Sequence, residues 1–246
     1  MKSIQSSLFL INQNLFIMKT KVFLSLCFAA CATMASAQLE SKSAYSIYET
    51  EDGWQGLRVS YKPIVMDVKD AGDLDMNGFS LDYVKAFRIG GDVPLFLETG
   101  AGFQWARYSD KETESFEGIE ISAEEKWTVA SINVPVNLGY QCFLSDKVTL
   151  TPYVGLNVKG HVLGEISITA KAEYEGEVEK EEETLNLFDD EDMEEDPCKR
   201  FILGWQIGAT LTYNRFNLGV SYGSDLTEFT TDTKFMTTAI TLGVNF

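Results

Sequence analysis

The chain has 246 residues, a formal net charge of −17 and 45% hydrophobic residues. A single all-β domain can use that length. So acidic a balance argues against nucleic acid or an anionic surface as partner, and beyond the N-terminus no run is apolar for long enough to be a membrane helix.

The N-terminus reads as a targeting segment, residues 1–37. Met18-Lys19-Thr20-Lys21 is a basic n-region, Val22 to Met34 an apolar run, and Ala35-Ser36-Ala37 a small-x-small cleavage pattern. Met18 is the expected true start and Gln38 the first mature residue. Cys31 raises a lipoprotein alternative, but Phe28-Ala29-Ala30 before it lacks the leucine-like residue of a lipobox. Cleavage removes Lys2, Lys19 and Lys21 and no acid, taking the charge from −17 to −20. Residues 38–53 are then a short periplasmic segment, and 54–246 the folded domain.

Eight strand candidates follow, each marked by period-two alternation. The first, Trp54 to Met66, sets Leu57, Val59 and Tyr61 against Arg58, Ser60 and Lys62. The second is Gly78 to Ile89, with Phe79, Leu81 and Tyr83 opposing Ser80 and Asp82. The third, Pro94 to Tyr108, opposes Phe103 and Trp105 to Glu98 and Gln104. The fourth and fifth, from about Trp127 to His161, form a hairpin about the turn Leu144-Ser145-Asp146-Lys147. Ile132, Val134, Val136 and Leu138 lie on one face of the fourth, and Val154, Leu156 and Val158 on one face of the fifth. The sixth is Phe201 to Tyr213, the seventh Phe216 to Gly223 and the eighth Phe235 to Phe246. Strands of about 9–11 residues cross a bilayer at a tilt.

The connections alternate in length. Gly90–Val93, Phe143–Lys147 and Asn214-Arg215 are short, whereas 67–77, 109–126, 164–200 and 224–234 are long. Outer-membrane barrels pair short periplasmic turns with longer external loops. Trp54, Phe87, Tyr140, Tyr213, Phe216 and Phe246 gather at the short-turn ends. Phe79, Trp105, Trp127, Trp205 and Phe235 gather towards the long-loop ends. Two such sets read as the aromatic girdles of a membrane barrel.

Several motifs carry a family resemblance. Gly78-Phe79 through Phe96-Leu97-Glu98, Ile132-Asn133-Val134-Pro135-Val136 and Pro152-Tyr153-Val154-Gly155 resemble the PorT-like outer-membrane β-barrel domain family. So do Leu218 to Gly223 and Leu242-Gly243-Val244-Asn245-Phe246. The resemblance covers Gly53 to Phe246. It implies an all-β fold: an eight-stranded antiparallel up-and-down transmembrane β-barrel of OmpX size, in the outer membrane of a Gram-negative bacterium. It also implies that a terminal phenylalanine serves as the signal for barrel insertion, and it brings no shared catalytic set. Lys85 departs from the pattern on the lipid face of the second strand, where a cation is costly away from an interface. A bulge or local change of phase is one expected remedy.

In a barrel of this size side chains fill the bore. Arg58, Lys62, Asp82, Glu98, Gln104, Asn133, Asn157 and Lys159 are expected inside, and their mixed signs read as a salt-bridged plug. A selectivity filter is the sharper alternative. His161 is the one histidine, and with Ser167 or Asp225 it makes no triad signal. Asp73-x-Asp75-x-Asn77-Gly78 copies the start of a calcium loop, yet the twelfth position is Val84 instead of an acid. No cofactor motif is present, and the chain reads as a non-enzyme.

The acidic stretch Glu173 to Asp196 includes Glu181, Glu182, Glu183, Asp189, Asp190, Glu191 and Asp192. Self-repulsion predicts disorder there, with Leu185, Leu187 and Phe188 able to dock on the barrel rim or a partner. Divalent cations or a basic protein are its candidate ligands. Cys142 and Cys198 are expected at opposite membrane faces, too far apart for a disulfide. The functional expectation is a surface-exposed scaffold or interaction protein, with membrane lipid around it and envelope or secretion proteins as partners. A narrow solute channel and an accessory of a secretion or envelope complex are the alternatives.

Overall fold

The computed structural model describes residues 53–68, 72–89, 93–116, 119–174, 177–189 and 198–246. The expected targeting and periplasmic segments, 1–52, lie outside them. Among the described residues ten strands form one antiparallel sheet: β1 (Gly53–Val68), β2 (Gly72–Arg88), β3 (Leu95–Phe116), β4 (Ile119–Tyr140), β5 (Cys142–Ser145), β6 (Val148–Tyr174), β7 (Glu177–Asn186), β8 (Phe201–Tyr213), β9 (Phe216–Asp225) and β10 (Thr233–Asn245). Pairing runs β1–β2–β3–β4–β6–β8–β9–β10, and β10 pairs with β1. β5 carries the hairpin into β6, and β7 adds to the far part of β6.

The alternation that predicts these strands also sets their two faces. Leu57, Val59, Phe79, Leu81, Phe103, Ile132, Leu156, Val220, Ile240 and Leu242 all point outward and are exposed. A water-soluble protein buries side chains of this kind, since each fully buried one contributes about 1.5–3 kcal/mol. An apolar band facing out around polar residues facing in is the inside-out pattern of a bilayer-embedded sheet. Outward aromatic pairs lie near one margin of the band, Tyr61 against Phe79 with ring centroids 5.3 Å apart and Trp205 against Tyr222 at 5.9 Å.

Three girdle aromatics are corrected. Trp54 is inward on β1, in phase with buried Arg58, with its ring centroid 4.7 Å from that of buried Phe96. Phe235 is inward and buried on β10, and Trp127 packs half-buried against an interior cluster. Lys85 keeps its outward phase, because the β1–β2 ladder is unbroken from Gly72 to Phe87. No bulge rescues it. It sits near the end of β2, with its ammonium 5.0 Å from the centroid of the Phe87 ring.

The long connections are also corrected. Residues 67–68, 72–77, 109–116 and 119–126 are strand, and 69–71 and 117–118 lie outside the described residues. In the acidic region expected to be disordered, β6 extends to Tyr174 and β7 pairs with it from Tyr174↔Glu177 to Glu165↔Asn186. The far parts of β3, β4 and β6, together with β7, make a four-stranded sheet that overhangs the bore. A bulge marks where it departs: Ala130 pairs with Leu163 and Ser131 with His161, so Val162 is extra on β6. The inserted residue switches the inward phase of β6 from odd to even numbers, as bulges do when they re-aim a strand. His161, Gly164 and Ile166 are therefore all buried, while Val162 and Leu163 are exposed.

Candidate functional site: the filled bore and the overhanging sheet

The interior is layered. At the short-turn end the Trp54 ring packs at a tilt of 49° against Phe96, and its Nε1 donates to Glu98 Oε2 at 3.2 Å. Next comes a polar layer. Arg58 Nη2 lies 3.9 Å from Glu98 Oε2. Asn137 Nδ2 donates to Glu98 Oε1 at 3.4 Å, and Gln206 Nε2 to Asn137 Oδ1 at 2.7 Å. Lys62 Nζ and Asn133 Nδ2 both donate to Gln104 Oε1, at 3.1 and 3.3 Å. Ser80 Oγ donates to Asp82 Oδ2 at 2.7 Å. Lys159 Nζ donates to Asp225 Oδ1 at 2.6 Å, an ion pair whose side chains are 8% and 0% exposed. The carboxylate also accepts from the Phe235 backbone N–H at 3.3 Å.

All eight inward candidates thus sit within the sheet. Arg58, Gln104, Asn133 and Lys159 are buried, and Lys62, Asp82, Glu98 and Asn157 are half-buried. Space is made for the large ones by glycine: a methyl on Gly102 would overlap the Asp82 carboxylate opposite it, and one on Gly243 would overlap Arg58. Sequence reasoning missed Asp225 as an inward acid, because the seventh strand was ended at Gly223, two residues short. Inward Asn217 and Gly223, six residues apart in the same phase, are the signal that extends it.

Above the polar layer lies an apolar plug of Ile64, Met66, Met76, Ile166, Leu187, Cys198, Phe229 and Phe235. The segments that cross the mouth are stitched by backbone bonds: Leu187 N–H to Gly164 O at 2.9 Å, Cys198 N–H to Leu187 O at 2.9 Å and Lys199 N–H to Phe229 O at 2.7 Å. Leu187 is 0% exposed, and Phe188 packs on the same cluster. His161 is embedded here, its ring 5.1 Å from Phe229 and 6.1 Å from Phe188. Neither ring nitrogen has a hydrogen-bond partner among the described residues. Asp225 is engaged by Lys159, and Ser167 by Thr184 Oγ1 at 3.2 Å, so neither forms a relay with His161.

A cavity among Arg58, Lys62, Glu98 and Tyr153 is about 80 Å³, room for a few waters. Cys142 and Cys198 are buried thiols at opposite ends, one paired across from Leu150 on β6 and the other in the plug. Burial pushes the Cys198 thiol up to about 11.

Asp73, Asp75 and Asn77 lie on β2, not in a loop, and Asn77 Oδ1 accepts from Tyr61 Oη at 2.5 Å. Asp73 and Asn77, four residues apart on the strand, stand about 13.6 Å from each other, too far for both to enter the 2.3–2.6 Å shell of one calcium ion. Glu181 and Glu183 share one face of β7, with Glu182 on the opposite face. Asp189 follows β7, while Asp190, Glu191 and Asp192 lie outside the described residues. No three metal-ligating side chains converge among the described residues.

The chain is similar to several solved outer-membrane structures. Ail of Yersinia pestis, crystallised with the heparin analogue sucrose octasulfate, is 17% identical over 80% of this chain and 100% of its own, with a TM-score of 0.38. Neisserial surface protein A is 15% identical over 78% of this chain and 97% of its own, at 0.39. The outer membrane enzyme PagL is 12% identical over 75% and 98%, at 0.38. No curated protein matches the chain. The model of the outer membrane protein beta-barrel domain matches residues 23–246. The chain belongs to the outer membrane protein beta-barrel domain family, and its place is the outer membrane of a Gram-negative bacterium.

Proposed function

We propose that this is an eight-stranded, closed barrel of the PorT-like kind that acts as a surface-exposed interaction protein, neither channel nor enzyme. The ring of pairings through β1, β2, β3, β4, β6, β8, β9 and β10 supports the strand number. In this reading residues 1–37 are removed as a signal peptide, 38–53 form a short periplasmic segment, and the overhanging sheet lies outside the cell. The observation that carries the reading is the filling of the bore. An aromatic pair, a hydrogen-bonded polar layer and an apolar plug succeed one another along it, and eight strands leave little room beyond their own side chains.

The test is conductance. Purified protein in planar bilayers should give no unitary current, and liposomes carrying it should not swell in small sugars. Steady single-channel steps would replace this reading with the narrow channel. Address is tested separately. Unheated and boiled samples should migrate differently on a detergent gel, because closed barrels resist detergent. An accessory role in a secretion or envelope complex is the same surface at work in an assembly, and cross-linking in intact cells would name the neighbour.

A further inference from the structure

The overhanging sheet has two chemically different faces. Its register places Tyr108, Trp127, Ile166 and Leu185 in one row across β3, β4, β6 and β7. The next rows on that face are Asp110, Glu125, Ile168 and Glu183, and then Glu112, Ala123, Ala170 and Glu181. Carboxylates therefore occupy both outer strands, and the centre is largely apolar. Ile121 is 53% exposed and Ile168 42%. No lysine or arginine falls on this face between Tyr108 and Thr113, Ile121 and Trp127, Ile166 and Glu173, or Val178 and Leu185. The cations are all on the reverse face, where Lys126 pairs with Glu124 at 2.6 Å and Lys180 pairs with Glu182.

We infer that this face docks a cationic amphipathic polypeptide segment of a partner protein, apolar along its middle and bearing Lys or Arg on both flanks. The inference rests on reading the sheet as the external end of the barrel. Three strand spacings separate β3 from β7, about 14 Å, which fits an α-helix of about 10–12 Å diameter. Exposed isoleucines gain by being covered, and uncompensated acids on both sides gain only from cations. A second copy of this chain would bring the same acids and be repelled. Carboxylates strung two residues apart along strands suit a row of Lys or Arg heads better than one metal ion, which needs its ligands converged.

The experiment uses the folded protein in zwitterionic nanodiscs, with empty discs as the blank. The probe is a synthetic helix of about 18 residues with Leu on one face and Lys on both flanks. Saturable binding is expected. Glu181→Gln with Glu183→Gln should weaken it about fivefold to tenfold, and so should Asp110→Asn with Glu112→Gln. Ile121→Ser with Ile168→Ser should weaken it about tenfold at unchanged charge. Glu124→Gln with Glu182→Gln removes the same charge from the reverse face and should change binding less than about twofold. Each variant's gel shift shows that it has folded. Equal losses from both faces would overturn the proposal, as would displacement of the probe by calcium but not magnesium. Both faces are accessible in a nanodisc, so this result does not depend on orientation. Orientation is read by labelling Lys111→Cys in intact cells, and protection there would sink the external reading alone.

Discussion

Charge is arranged in opposite ways in the bore and in the overhanging sheet. Inside, cations and anions sit opposite each other, Lys159 against Asp225 and Arg58 within reach of Glu98. On the sheet one face carries acids without cations, and the lysines are on the other, where Lys126 and Lys180 pair with Glu124 and Glu182. Arg58, Lys159 and Asp225 are buried in the bore, and an ion left there without a partner is expensive. The sheet stands in water, where screening makes pairing nearly neutral for stability. Pairing in the bore therefore follows from folding. Sorting on the sheet does not, and its explanation must lie in what the face meets.

The sharpest way to break this contrast is to unpair the bore. Asp225→Ala leaves the Lys159 ammonium buried and should cost about 3–5 kcal/mol in urea unfolding from micelles. Adding Lys159→Met should recover much of that loss. Failure of the second change to rescue the first would mean that the pair is not the cause. Comparable but apolar damage is expected at the plug. Leu187→Ala, at a site with 0% exposure, should cost about 2–5 kcal/mol through the cavity it leaves.

A chemical probe sharpens the contrast next. With the Cys198 thiol held near 11 by burial, little thiolate exists at pH 8, and maleimide should label Cys198 slowly until the protein is unfolded. A cysteine placed in the sheet by Glu181→Cys should label at once. Equal rates would show that the plug opens freely. The smallest effect should come from the sheet's own charges. Glu181→Gln with Glu183→Gln should move the unfolding free energy by less than about 0.5 kcal/mol, and a larger loss would return those acids to a structural role.

The bilayer-crossing strands were legible because period-two alternation survives wherever one side meets lipid and the other a packed bore. The polar layer was legible for the same reason, down to Gln104 and Asn157. What escaped lay where that rule stops. Phe235 and Trp54 were assigned to girdles from their place at strand ends, although their parity with Ala239 and Arg58 puts them inside. Beyond the bulge at Val162 the phase of β6 changes, and no residue type announces the insertion. Charge density on β7 predicted disorder. Instead, Lys171 stands opposite Lys180 in a ladder whose lysines lie among Glu124, Glu182 and Ser and Thr side chains. Composition marks Leu187 as able to dock on the rim or on a partner, and it is buried in the plug. Its hydrogen bond to Gly164, across a hairpin, depends on tertiary pairing that periodicity does not encode.

The register between β1 and β10 has a kinetic meaning. Gly56 meets Asn245 and Val68 meets Thr233, residues from the two ends of the domain, whereas the other pairings join strands that are neighbours or near-neighbours in the chain. Loop-closure entropy is small for hairpins and must be met in full only at this seam. Assembly can therefore zip hairpin by hairpin and leave one slow event for the end. Until that event the facing edges of β1 and β10 are open strands, able to pair with any other exposed edge. Moving the chain ends to the Asn214-Arg215 turn and linking Phe246 to Gly53 would make the seam local and shift the late step to β8 and β9, a change visible in refolding rate without altering the folded sheet.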